Sequence, residues 1–155
     1  MQNPSSKSEN SSPTLVSPAF QDYIRIQSKN DSRRMRLDPC STHAEGKNPL
    51  CGDEVEIFFQ ISPSGIIENC TFTSQSCAIV NASAATLCET LPGLSIQASS
   101  SLIQTFLQTL STPTDTTLPD TITPLLEIRH LPRRIRCAEL PWTAARLALK
   151  KIPPG

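Results

Sequence analysis

The sequence predicts an α+β domain, a small antiparallel sheet packed against helices, carried behind a disordered N-terminal tail. Two observations point there. Residues 54–61 alternate apolar and polar side chains ahead of a turn and a second β-like run at 66–73, and residues 77–91 and 99–110 repeat their apolar side chains every three or four positions. At 155 residues the chain suits one compact core. It carries 14 Pro against 5 Gly and few aromatics, so part of the length is expected to stay outside that core.

Taken in order, residues 1–17 are polar, Ser/Asn/Pro-rich and without a period, which reads as tail, leaving 18–152 as the domain. After Pro18, the spacing of Phe20, Tyr23, Ile24 and Gln27 predicts a short amphipathic helix over 19–27. Residues 29–36 read as a basic connection and 38–48 as loop. Val55, Ile57, Phe59 and Ile61 then share one face, with Glu54, Glu56 and Gln60 on the other, the pattern of a half-buried strand. Ser62-Pro63-Ser64-Gly65 supplies the turn and 66–73 resumes a β run, so 54–73 is expected to be a hairpin, extended by at least one further strand.

Cys77 opens an Ala/Ser-rich helix in which Ile79, Ala82, Ser83, Thr86 and Leu87 form a stripe, ending before Pro92-Gly93. Its small residues let it lie close to the sheet. Leu102, Ile103, Phe106, Leu107 and Leu110 mark a second helix. Residues 111–123, rich in Thr, Pro and Asp, read as exposed loop, followed by a short element over 124–128. Pro141 favours a helix first turn, so a last helix is expected from about 141 to 150 with cations near its end.

The net charge of zero hides a strong partition. Residues 1–47 carry +2, 48–128 contain no Lys or Arg and carry −8, and 129–155 carry +6. Such polarity fits charge-steered contact with a partner, or between parts of the chain, rather than general nucleic-acid binding; a solvated basic end is the competing reading. The N-terminal stretch lacks an apolar signal core, and no segment approaches the ~18–20 apolar residues that span a bilayer. A cytoplasmic, reduced protein is therefore expected, without membrane or nucleic-acid partners. Its six cysteines are then ligands, reactive thiols or core filler rather than a disulfide framework.

Three of the six lie in chemically pointed settings. Cys51 and Asp53 put a thiol and a carboxylate two residues apart on the loop that enters the first hairpin strand. Cys77 stands at a helix start, where the dipole and free N–H groups favour thiolate, and Cys137 lies among Arg133, Arg134 and Arg136, whose charges act the same way. Cys70 and Cys88 read as core and Cys40 as a loop thiol. Asp53 alone reads equally as a turn or cap residue. His43 and His130 take surface or loop roles, His130 being the reserve ligand, and Trp142 reads as a packing anchor.

Three separated segments resemble one family. Asn48–Asp53, then Phe72 through Cys77-Ala78-Ile79 with Ala82-Ser83-Ala84, then Arg134–Ala138 with Leu140-Pro141-Trp142, are similar to the SufU/IscU (NifU N-terminal-like) proteins of iron–sulfur cluster assembly. The resemblance implies a SufE/NifU-like α+β fold and a site of three cysteines and an aspartate, matching Cys51, Asp53, Cys77 and Cys137. It also implies Zn²⁺ or a transient [2Fe–2S] cluster as the bound species. The implied partners are a PLP-dependent cysteine desulfurase and other assembly proteins, and Cys137 is the weakly favoured sulfur acceptor. Where the IscU branch has a histidine before the third cysteine this chain has Arg136, which cannot ligate. That residue and the long interval from Cys77 to Cys137 resemble the SufU branch, a zinc-bearing sulfur acceptor, rather than the scaffold branch. Ser74 and Ser76 stand where the family usually has glycines. The alternative is a structural zinc module, or a divergent member without sulfur transfer.

Overall fold

A computed structural model describes residues 16–112 and 116–153; the tail expected at 1–17 lies, except for Val16 and Ser17, outside the described residues. Helix α1, Pro18–Ser28, begins where the sequence asks. Ser17 caps it by accepting the Phe20 N–H at 3.0 Å, and Pro18 occupies the first turn, where a missing N–H is harmless. Ser17 in turn gives its own N–H and hydroxyl to the Glu127 carboxylate, which pins the helix start to the later part of the chain.

The sheet has three antiparallel strands in the order β1 (Thr42–Asn48), β2 (Asp53–Ile61) and β3 (Ile67–Gln75). The hairpin β2–β3 is the one the alternation predicts. The further strand is β1, and it corrects the expectation of loop over 38–48. Thr42–Asn48 contains few good strand formers, but pairing with the open edge of β2, from Thr42 opposite Phe59 to Asn48 opposite Asp53, satisfies backbone groups that the edge would otherwise leave free. Phe58 is buried as well, on the face away from its neighbours Ile57 and Phe59. His43 stacks on its ring at 5.8 Å and the Arg36 guanidinium lies over it at 5.1 Å.

Helix α2, Ala78–Thr90, is buried nearly all round and packs against α1 and β3. Its Ala82, Ser83, Ala84 and Ala85 permit that central position. Helix α3, Ile96–Ser111, follows the predicted stripe, burying Ile103, Phe106 and Leu110. The segment read as exposed loop over 111–123 is exposed only in part. Residues 113–115 lie outside the described residues, while Leu118 and Ile122 are buried anchors. Thr123–His130 and Pro132–Arg134 are 3₁₀ turns leading into α4, Ile135–Lys150.

Helix α4 starts six residues before the predicted Pro141, which sits inside it. The first-turn preference of proline is local. It is outweighed by burial of Cys137, Ala138, Trp142, Ala144, Ala145 and Ala148 along one helix, against β1, β2 and α2. The cost is one helical bond, because Pro141 has no N–H to give the Cys137 carbonyl. Trp142 fills the centre, its ring 4.2 Å from that of Phe106. Gly46 explains how close α4 lies to β1, since a Cβ there would fall 3.1 Å from the Leu140 carbonyl oxygen. No helix among the described residues is long and apolar enough to cross a membrane.

Candidate metal centre

The sheet and two helix starts converge on one point. Asp53 is the first residue of β2, Cys77 is the N-cap of α2, and Cys137 lies in the first turn of α4. One ligand atom from each lies within 4.8 Å of the other two. Asp53 is only 4% exposed, and its carboxylate works in two directions: Oδ1 accepts the Cys77 N–H at 3.0 Å and Oδ2 lies 3.8 Å from Cys137 Sγ. The cap reading and the ligand reading of Asp53 are therefore compatible, because the two oxygens divide the tasks.

Each side chain is held by local chemistry. Asn48 closes the β1–β2 turn by accepting the Cys51 and Gly52 N–H groups on its carbonyl, and Gly52 takes the positive φ of 73° that the turn requires. Ahead of Cys77, Ser74 and Ser76 both donate to Asn81 Oδ1, at 2.6 and 2.9 Å, and Arg34 donates to Ser74 at 2.9 Å. Ser74 lies in β3, paired with Val55 of β2, so its backbone is extended and has no need of a glycine. On α4, Ser83 donates to the Ala138 carbonyl at 2.6 Å and accepts Trp142 Nε1–H at 2.9 Å, which locks the turn that bears Cys137 onto α2.

The electrostatics depart from the sequence expectation at Cys137. Burial, then the neighbouring Cys77 sulfur, with a smaller contribution from Asp53, push the Cys137 thiol from its ordinary 9.0 up to about 12, and Arg134 offsets only part of this. The arginines alone do not make this residue a thiolate. Arg134 itself contacts both sulfurs; partial burial works to lower its pKa, and Cys77 and Cys137 outweigh that and raise it. The sequence reading placed Arg134 only in a general cluster; its spacing, one turn ahead of Cys137, is the signal that would have singled it out.

Cys51 is exposed on its turn and is not part of the three-residue group. Cys70 and Cys88 are fully buried, with their sulfurs 3.4 Å apart, and Cys40 is half-buried; all six thiols are free. His43 is engaged by Glu56 at 2.7 Å and His130 is exposed on a 3₁₀ turn, so neither belongs to the group.

The donor set suits a thiophilic ion. Metal–sulfur bonds of ~2.3 Å in a tetrahedron space neighbouring donors by roughly 3.5–4 Å. The 3.8 Å between Cys137 Sγ and Asp53 Oδ2 fits, and soft sulfurs combined with one carboxylate suit zinc or iron.

Comparison with known proteins identifies chains of the same kind. The family model described as the NifU-like N terminal domain matches residues 27–152. The iron–sulfur cluster assembly scaffold protein IscU of Thermotoga maritima is 29% identical over 139 residues, covering 89% of this chain and 94% of that protein. The zinc-dependent sulfurtransferase SufU of Bacillus subtilis is 29% identical over 111 residues, covering 70% and 74%. Two crystal structures share the fold. One is a putative SUF-system scaffold protein from Fervidobacterium islandicum (TM-score 0.74, 24% identity, covering 87% of this chain and 96% of that one). The other is a nitrogen-fixing NifU-like protein, N-terminal part, from Brucella abortus (TM-score 0.74, 14% identity, covering 90% and 97%).

Proposed function

The chain belongs to the NifU-like N-terminal domain family, and on that premise we propose that it serves iron–sulfur cluster assembly by accepting sulfur from a PLP-dependent cysteine desulfurase at a Cys51, Asp53, Cys77, Cys137 site. The observation that carries this is the meeting of Asp53, Cys77 and Cys137 within 4.8 Å from elements 24 and 60 residues apart in sequence. In this reading Asp53, Cys77 and Cys137 hold Zn²⁺, or iron delivered as cargo, and Cys51 closes the set from its exposed turn. A bound dication supplies the charge that turns a buried thiol such as Cys137 into a thiolate at neutral pH.

The chain's own residues divide the remaining work. Asp53 holds the N-terminus of α2 and is the most labile ligand by chemistry, a carboxylate among sulfurs. Arg134 lies against both sulfurs and balances negative charge that develops there. The acceptor role, assigned from sequence to Cys137, passes to Cys51. Cys137 is 2% exposed, whereas Cys51 stands on the surface, where a donor persulfide reaches it without opening the fold. Its thiolate attacks the outer sulfur of the donor persulfide, the S–S bond breaks, the donor leaves as thiolate, and Cys51 carries the persulfide.

The test joins elemental analysis of anaerobically isolated protein to desulfurase assays. Bound zinc or iron, together with stimulation of the desulfurase that Cys51→Ala abolishes, is the expected result. If Cys51→Ala, Cys77→Ala and Cys137→Ala all stimulate as well as the unmodified protein, sulfur acceptance at this site is wrong.

A further inference from the structure

Two thiols take no part in the metal centre and lie sealed in the core. Cys70, opposite Phe59 in the hairpin, and Cys88, in α2, are each 0% exposed, and their sulfurs lie 3.4 Å apart across the contact between β3 and α2. Packing alone needs only a small apolar side chain at either position. The pair adds something else, a second sulfur within reach of the first. Cys77 stands at the other end of α2, ~16 Å along the helix from Cys88 and too far to exchange with it. Cys70 and Cys88 are 18 residues apart, and Cys77 lies between them, so a bond joining the two sulfurs closes a loop around that residue.

We infer that Cys70 and Cys88 are a modification site, a dithiol that a small peroxide converts to a disulfide joining β3 to α2 behind Cys77. One thiolate attacks the peroxide, the O–O bond breaks, water leaves and a sulfenic acid remains. The second thiol gives up its proton and attacks the sulfenic sulfur, the S–O bond breaks, and a second water leaves as the S–S bond forms. Two thiols are oxidised and one peroxide is reduced to two waters. An S–S bond of ~2.05 Å asks the sulfurs to close by roughly 1.4 Å, less than a carbon–carbon bond. The oxidant must be small, because a closed core has no room for a mixed disulfide with a peptide-sized thiol. Burial foremost, then the hydrogen bond and charge of Cys70, hold the Cys88 thiol well above its ordinary 9.0; Arg33 offsets part of this and Glu89 adds to it. Thiolate is therefore scarce while the core is closed, and the pair reacts after the exposed Cys51, during openings of the core. The inference stands whether or not Cys51 accepts sulfur.

Treating the metal-free full chain with hydrogen peroxide, in buffer and in urea just below the unfolding midpoint, tests this. Free thiols are alkylated in denaturant and the chain is cut with pepsin, since residues 48–128 hold no Lys or Arg for trypsin. Cys51 should oxidise first. Cys70 and Cys88 should then be recovered as one linked species lighter by two hydrogens, forming faster in urea than in buffer. The melting temperature should rise by about 5–10 °C and return with dithiothreitol. Cys70→Ala and Cys88→Ala should each lose that rise; where either variant does not fold, the linkage found in the unmodified chain decides. If Cys70 and Cys88 are both alkylated as free thiols once Cys51 is fully oxidised in urea, they are packing residues only and the inference is overturned. Recovery of either one as a sulfinic acid, or bridged to a different cysteine, overturns it equally.

Discussion

Replacing Asp53 by alanine and by asparagine separates the two tasks its oxygens perform. Alanine removes the acceptor of the Cys77 N–H, a charge-assisted bond of 3.0 Å from a carboxylate only 4% exposed, and orphans that N–H at the start of α2. Bonds of this class contribute about 1.5–3 kcal/mol. With a urea m-value of ~2 kcal/mol/M, the midpoint of the metal-free protein should fall by about 1 M. Asparagine keeps a neutral acceptor in the same place, so most of that stability should remain. The anionic oxygen 3.8 Å from Cys137 Sγ is lost in both variants, and zinc affinity should drop by at least about tenfold in each. Urea unfolding of chelator-treated protein and competition with a chromophoric zinc indicator read the two effects independently. An Asp53→Ala curve that overlays the unmodified one refutes the capping role. An Asp53→Asn protein that binds zinc undiminished refutes the ligand role.

Other consequences are open to measurement. Chelation should leave a cooperatively folded protein by circular dichroism, because the core around Phe59, Phe106 and Trp142 closes without the site; collapse of the spectrum would instead make this a structural zinc module. Because the Cys137 pKa is raised in the fold, the native state holds the proton more tightly than the unfolded chain. The stability this adds is complete below pH 9.0 and is lost as pH rises toward about 12. Urea midpoints of metal-free protein should therefore fall between pH 8 and 10.5 and fall less in Cys137→Ala, whereas parallel profiles would count against a buried thiol. Gly46→Ala should cost about 1–3 kcal/mol through the 3.1 Å approach to the Leu140 carbonyl, seen as a lower melting temperature, and an unchanged melt would mean α4 can withdraw freely.

Much of this was legible because the signals were local. Alternation at Val55, Ile57 and Phe59 marked β2, the stripe at Ile103, Phe106 and Leu110 marked α3, and small residues after Cys77 marked a helix able to sit in the centre. The motifs around Cys51–Asp53, Cys77 and Cys137 singled out the chemistry. What stayed hidden depended on partners distant in the chain. Thr42–Asn48 has little strand character of its own and became β1 because the edge of β2 offered hydrogen bonds. Pro141 looked like a beginning and proved an interior residue, because the alanines beyond it and Cys137 before it bury on one continuous face.

The amino-acid sequence by itself determined which residue types are available for chemistry and which segments fold as hairpin and helices. Both follow from side-chain period and functional-group identity. Only the tertiary structure decided that Asp53, Cys77 and Cys137 meet, that Arg134 rests against both sulfurs, and that Cys51 stays at the surface. Those relations span up to 84 residues. They arise from two helix starts packed against one strand end, where burial and neighbouring charge set the reactivity of each thiol.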